Sequence, residues 1–260
     1  MTASEPIRVG VLGAGGRMGR TVCAAVGADA ELHLVAAVDP TAVGETVFGD
    51  VTVAGEVAAL VDAGVQVAID FTVADAARHN LPVVAEHGIH AVVGTTGLDA
   101  TDLEALKAAF TSSNCLIAAN FAIGAVLMMR FAELAAPWFE TAEVIELHHD
   151  AKRDAPSGTA LITIDRMAAA SDSWAPDPTQ DEKVAGARGG KAAGGIPVHS
   201  VRMRGLVAHQ EVLLGTDGQT LTIRHDSYDR SSFMPGVLLA VKRIADLPGL
   251  TIGLDTVLDL

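Results

Sequence analysis

The sequence predicts an α/β fold in which a parallel sheet covered by helices is joined to a second, α+β unit. Three observations carry that expectation. Over the first 120 or so residues, short unbroken apolar runs alternate with helix-length segments rich in Ala and Leu, and unbroken runs mark strands buried on both faces, as parallel strands are. Small or polar residues close each run in turn. Past Phe121 the pattern changes to alternating strands and polar, Gly-rich loop.

Bulk properties agree. Half of the 260 residues are hydrophobic and only 4% aromatic, a composition suited to close-packed helix-on-sheet layers. A formal net charge of −14 excludes a general nucleic-acid binder, so an anionic ligand needs a concentrated basic site. Cys23 and Cys115 share no metal or redox spacing and lie in apolar surroundings, which reads as two buried small hydrophobes. Residues 1–8 carry no basic segment followed by a long apolar run, and no stretch approaches the length of a membrane span. A soluble cytoplasmic protein is expected, without membrane partners.

The strands of the first unit are expected at residues 7–12, 32–38, 65–71, 91–93 and 115–119, with helices at 17–27 and 100–110 among those between them. Their carboxyl ends carry Gly13–Gly19, then Asp39, Phe71-Thr72, Gly94-Thr95-Thr96-Gly97 and Asn120-Phe121. In an open α/β sheet these ends form the rim where ligands bind.

The turn Gly13-Ala14-Gly15-Gly16-Arg17-Met18-Gly19 joins the first strand to a helix. Met18 occupies the third position of the strict GxGxxG pattern, so the run follows Gly13-x-x-Gly16-x-x-Gly19 instead. Either spacing lets the backbone approach a pyrophosphate at a helix N-terminus. Asp39, 20 residues past Gly19, is placed to accept bonds from an adenosine ribose. Together these define a Rossmann-type dinucleotide-binding domain. Pro40 supplies no guanidinium for a 2′-phosphate, leaving Arg17 as the main one, so NADH is expected to serve at least as well as NADPH.

The second unit is expected to hold helices at 123–136 and 159–170, a strand at 143–147, mobile loop at 171–182 and 185–195, and antiparallel strands at 198–204, 210–214 and 220–225. A last apolar helix, 234–244, returns to the first domain. The domains are thus expected at 1–121 completed by 231–260, and at 122–230.

The most informative segment is Glu146-Leu147-His148-His149-Asp150-Ala151-Lys152-Arg153-Asp154-Ala155-Pro156-Ser157-Gly158-Thr159. It sets two imidazoles and two cations at a strand end, followed by a Pro-Ser-Gly-Thr turn that opens a helix. Free N–H groups there, with the Thr159 hydroxyl, make a carboxylate site. A His-His pair alone is more often structural than catalytic. Zinc would need further ligands at helpful spacing, and none is present, so no metal is expected.

This segment resembles the hallmark of the dihydrodipicolinate reductases. The similarity runs over essentially the whole chain, through the glycine turn, Asp70-Phe71-Thr72, Gly94-Thr95-Thr96-Gly97, Ala118-Ala119-Asn120-Phe121, His199-Ser200-Val201-Arg202 and Arg230-Ser231-Ser232-Phe233. The resemblance implies NAD(P)H-dependent reduction of a small cyclic dicarboxylate in lysine and diaminopimelate biosynthesis. It implies His148 as general acid, Lys152 as its assistant, and His149, Gly158 and Thr159 as holders of the substrate carboxylates. By the same token Gly13, Ala14, Gly15, Gly16, Arg17, Met18, Asp39, Gly94, Thr95, Thr96, Ala118, Ala119, Asn120 and Phe121 line the dinucleotide site, and the second domain binds substrate and builds a homotetramer. Ala151 departs from the pattern, because many members carry a further histidine there. Two alternatives are another two-domain oxidoreductase, which has no use for His148 and Lys152 in this setting, and an NADH-sensing regulator, which should bring a basic DNA-binding face.

Overall fold

The computed structural model describes residues 5–260; the first four, part of the N-terminal stretch read above for a leader, lie outside the described residues. Contacts divide the chain into two compact units, one reaching Phe121 and including Phe233–Leu260, the other Ala122–Ser232.

In the first unit eight strands form one sheet: β1 (Ile7–Leu12), β2 (Leu32–Val38), β3 (Thr46–Phe48), β4 (Val51–Ala54), β5 (Val67–Asp70), β6 (His90–Val93), β7 (Cys115–Ile117) and β13 (Leu250–Ile252). Their order is β13-β7-β6-β5-β1-β2-β4-β3, and every pairing is parallel except that of β3 with β4. β5 and β7 are buried along their whole length, which is why they read as unbroken apolar runs. Helices α1 (Arg17–Ala28), α2 (Ala58–Asp62), α3 (Ala74–Glu86), α4 (Ala100–Ala109) and α7 (Met234–Arg243) complete the unit. Leu12, Leu60, Leu81, Val84, Val93 and Phe110 share one core. Lys242 of α7 bonds Asp29 at the end of α1 at 2.9 Å, pinning the returning helix. Strand order reverses at β1, which has β2 on one side and β5 on the other. That is the switch point outside which a doubly wound sheet opens a crevice.

The second unit is a five-stranded sheet of order β12-β11-β8-β10-β9, built from β8 (Thr141–His148), β9 (Gly190–Lys191), β10 (Pro197–Arg202), β11 (Ala208–Thr216) and β12 (Gln219–Ser227), with α5 (Ile123–Ala135) and α6 (Gly158–Ala170). Alternation on β8 turns Ala142 and Val144 toward Ala132, Ile164 and Met167. Ile164 and Met167 are wholly buried, each contributing about 1.5–3 kcal/mol. Two expectations are corrected here. Residues 198–204 were expected in an antiparallel array, but β10 runs parallel to β8 and antiparallel only to β9. Residues 185–195 are not all loop, since Gly190 and Lys191 pair with Val198 and Pro197.

Candidate active site

In the first unit the carboxyl ends of β1, β2 and β5 border a cleft of about 490 Å³, lined among others by Gly13, Gly16, Asp39, Pro40, Phe71 and Thr72. Gly13 has φ +81°, and a Cβ there would lie 2.7 Å from the Phe71 carbonyl oxygen. Gly19, in the first turn of α1, touches the same turn from behind: a Cβ would sit 2.0 Å from the Gly13 carbonyl oxygen. No side chain caps α1 at Gly16, and Gly13 and Gly16 line the cleft, which leaves the first turn of α1 without a side-chain acceptor, as a pyrophosphate site requires.

Asp39 closes this cleft. Its Oδ2 accepts the Gly15 N–H at 3.0 Å, and its Oδ1 accepts the Thr41 N–H at 2.9 Å and hydroxyl at 2.7 Å. Burial opposes ionisation, but the Thr41 and Gly15 donors, with Arg20 nearby, outweigh it and hold the carboxyl below its usual range. An ionised carboxylate suits a ribose 2′-hydroxyl and repels a 2′-phosphate. Arg17 is exposed at the start of α1. The cation acting on Asp39 is Arg20, which sequence reasoning passed over; its Nε donates to the Gly15 carbonyl at 3.0 Å and its guanidinium pairs with Glu45.

Farther along the rim, Asp70 clamps two strand-end turns. Its Oδ1 accepts the Thr72 N–H, the Thr72 hydroxyl and the Thr95 hydroxyl at 2.9, 2.7 and 2.6 Å. Phe121 packs on Phe71 with ring centroids 5.8 Å apart, and the Ala118 N–H bonds Val93 at 3.0 Å. Thus Thr95, Ala118 and Phe121 are drawn into one rim, flanked by Gly94, Thr96, Ala119 and Asn120. Val57, Ala76, His79 and Asn80 also line the cleft and were missed. The one signal for them is the polar pair His79-Asn80 on α3.

In the second unit the hallmark segment folds around Glu146, which is wholly buried. Residues two apart on a strand share a face, so Glu146 and His148 of β8 lie together, with His148 Nδ1 in hydrogen-bond contact with Glu146 Oε2 at 2.5 Å. Arg202 of β10, paired in register with His148, adds a two-pronged bond at 2.7 and 2.8 Å. Burial would raise the Glu146 carboxyl, but bonds from Arg202, Ser200 and His148 prevail and keep it low. Burial lowers His148, reinforced by Lys152 and Arg202 and opposed by Glu146.

Ser157 starts α6, its hydroxyl accepting the Ala160 N–H at 3.2 Å. A Cβ on Gly158 would meet nothing within 4 Å, so this helix start is open beside Thr159. Lys152 Nζ is held by both Asp154 oxygens at 2.8 Å. His149 is exposed. Among the described residues no cluster of three or more metal-ligating side chains forms, and no helix is long and apolar enough to cross a membrane.

Comparison with known proteins gives this geometry a context. Residues 7–121 match a family model described as dihydrodipicolinate reductase, N-terminus, and residues 124–258 match the corresponding C-terminus. The chain is 54% identical to the 4-hydroxy-tetrahydrodipicolinate reductase of Nocardia farcinica, over 98% of this chain and 99% of that one. It is 51% identical to the Mycobacterium marinum protein of the same name, over 98% and 100%. A solved dihydrodipicolinate reductase from Paenisporosarcina sp. TG-14, with dipicolinate bound, superposes with a TM-score of 0.88 at 36% identity, covering 96% of this chain and 99% of that one.

Proposed function

We propose, from the premise that the chain belongs to the dihydrodipicolinate reductase family, that His148 and Lys152 carry its chemistry. The chain is an oxidoreductase that reduces 4-hydroxy-tetrahydrodipicolinate with a nicotinamide dinucleotide, in lysine and diaminopimelate biosynthesis. The observation that carries the assignment of residues is one short segment holding a carboxylate-braced imidazole, an ammonium and an open helix start.

The residues divide the work. Ser157 holds the first turn of α6 so that Gly158 and Thr159 present donors to one substrate carboxylate, with His149 as a further contact. Lys152 exchanges Asp154 for a substrate carboxylate and adds positive charge. When bound, the reduced dinucleotide would supply a hydride to C4 of the conjugated imine, dihydrodipicolinate, which forms when 4-hydroxy-tetrahydrodipicolinate loses its C4 hydroxyl as water. Negative charge then develops across the substrate ring, and His148 discharges it by giving up the proton on Nε2. Before substrate arrives, burial and two nearby cations favour neutral imidazole. A dianionic ligand reverses that bias, because nearby negative charge favours the imidazolium. The site is therefore loaded with its proton as it is loaded with substrate.

For the dinucleotide, the residues fit: an uncapped helix start for the pyrophosphate, an ionised Asp39 for the ribose, and a cleft wide enough for the adenosine. Gly13, Ala14, Gly15, Gly16, Arg17, Met18 and Asp39 hold that half, and Gly94, Thr95, Thr96, Ala118, Ala119, Asn120 and Phe121 the other. Asp39 followed by Pro40 supports use of NADH at least as readily as NADPH. A homotetramer built on the second sheet is supported by the face opposite α5 and α6, where Ile145, Leu147 and Leu213 stand beside Glu143 and Glu211. The compartment inferred is the cytoplasm, which suits two buried free thiols.

The test follows oxidation of NADH and NADPH in parallel, with substrate generated in situ by dihydrodipicolinate synthase from pyruvate and aspartate semialdehyde. Rapid oxidation is expected, at least as fast with NADH; strong preference for NADPH overturns the cofactor assignment. Silence with folded, NADH-binding protein overturns the substrate assignment. Light scattering at assay concentration is expected to report four subunits, and a monomer removes the tetramer.

A further inference from the structure

The imidazole and the carboxylate-binding turn share one buried support, and we propose that Glu146 and Arg202 are the positioning pair of this site, fixing which nitrogen of His148 faces the substrate and anchoring the turn before α6. The inference rests on the reading of His148 as proton donor.

Glu146 is saturated. Its Oε1 accepts Arg202 Nη2 at 2.7 Å and the Ser157 N–H at 3.2 Å. Its Oε2 accepts Arg202 Nη1 at 2.8 Å and His148 Nδ1 at 2.5 Å. The Ser200 hydroxyl adds to these. A carboxylate has about four lone-pair sites in all, so nothing remains with which Glu146 could take up a proton or bind a ligand. It is a support.

Because its partner is a carboxylate, His148 Nδ1 keeps its hydrogen, and Nε2 is left as the nitrogen that gains and loses the working proton. A lone buried carboxylate would be too costly to keep ionised, and the bidentate guanidinium supplies the compensating charge. Arg202 reaches further: Nη2 also donates to the Asp154 carbonyl at 2.7 Å, while the Asp154 carboxylate grips Lys152. Ser157, bonded to the same Glu146, is the cap before Gly158 and Thr159. One ion pair thus reaches His148, the Asp154 that holds Lys152, and the turn before Gly158 and Thr159. The parallel register of β10 on β8, Ser200 opposite Glu146 and Arg202 opposite His148, is what brings Arg202 to the face that sequence spacing gives to Glu146 and His148.

The charged groups set against His148 are Glu146 on its own strand, Arg202 on β10 and Lys152 in the turn after β8. Only Glu146 favours the imidazolium. Replacing it with Gln leaves the two cations unopposed, so turnover, which needs the protonated ring, is lost at a lower pH.

The experiment has two arms. In unmutated protein, ¹⁵N chemical shifts of the neutral His148 ring are expected to place the proton on Nδ1; a proton on Nε2 overturns the proposal, whatever the substrate proves to be. In the second arm, Glu146→Gln is expected to lower kcat by about tenfold or more, the scale of lost acid–base positioning. Its NADH Kd, read by fluorescence, should stay within about twofold, and the alkaline limb of its pH profile should move down. In a His148→Gln background the same change should have little further effect on kcat, because partners that act as a unit are not additive. Independent effects, or an unmoved limb, overturn the proposal. Should Glu146→Gln not fold, the ring spectrum still decides. Loss of unmutated turnover on the dicarboxylate would instead strike the reading of His148 as donor.

Discussion

Asp39 accepts the Gly15 N–H at 3.0 Å, joining the end of the second strand to the glycine turn across 24 residues of sequence. The group expected to hold the ribose and the turn expected to hold the pyrophosphate therefore brace each other before any ligand arrives. Preorganisation of this kind reduces the ordering cost of binding.

Gly19→Ala tests how tightly the turn is built. The new methyl would lie 2.0 Å from a backbone oxygen, and overpacking costs about 1–3 kcal/mol or more. We expect a loss near the upper end of that range in urea unfolding, with NADH affinity down by more than about tenfold. Gly16→Ala meets the same oxygen only at 3.3 Å and should be milder. Equal, small effects would mean that the turn relaxes freely.

His148→Gln is expected to reduce kcat by about 10²–10⁴, the usual worth of a placed proton donor, with the NADH Kd unchanged. Lys152→Ala should lower kcat and raise KM for the dicarboxylate together. Full turnover in His148→Gln would remove it as the acid, and unchanged constants in Lys152→Ala would take it out of the site.

Asp70 offers a pH test in the first unit. Burial raises its carboxyl pKa against the bonds from Thr95 and Thr72, and its Oδ2 lacks a partner. A folded-state pKa above the unfolded value of about 3.9 means the folded protein holds this proton more tightly. Its stabilising effect is complete below that value and fades as pH rises through the folded pKa. Asp70→Asn should then be at least as stable as the parent at neutral pH, with a flatter stability profile above about pH 4. Asp70→Leu strands the Thr72 and Thr95 donors, at about 1–3 kcal/mol for each group left unsatisfied. Urea midpoints across pH decide; an Asn variant as weak as the Leu variant would show an ionised Asp70.

Neither thiol should react with a disulfide reagent in the native protein. Burial pushes Cys23 up to about 12 and Cys115 higher still, and only the thiolate attacks. Two thiols should titrate rapidly in denaturant, and fast native labelling of either would show that its surroundings open.

The sequence made the parallel sheet and glycine turn readable because those strands are buried on both faces and end in glycines, and both features leave local marks. β3 and β13 left none. Each has three residues, and Thr46 and Phe48 are exposed, so no apolar run exists to read. The direction of β10 was misjudged because alternation reads alike in either direction, and its neighbour β8 decides. His148 and Lys152 stood out through the resemblance of their segment to the reductase hallmark, not through spacing alone. Glu146 lay two residues before His148, a strand-face signal in plain view, but its partner Arg202 is 56 residues away and emerges only with register. Ala76 and Asn80 line the cleft from α3 and Val57 from the turn before α2, and no motif links them.

The parallel alignment of β8 and β10 also bears on how such a chain tolerates change. Arg188 ties the intervening segment back to Glu143 and Asp177, so residues 178–187 form a closed excursion between fixed points. Doubling a flexible loop costs only about 0.6 kcal/mol in closure entropy. Insertions and deletions there should accumulate almost freely among descendants of this chain, while a single-residue slip within 197–202 would turn Arg202 to the other face and leave Glu146 with a buried, uncompensated charge.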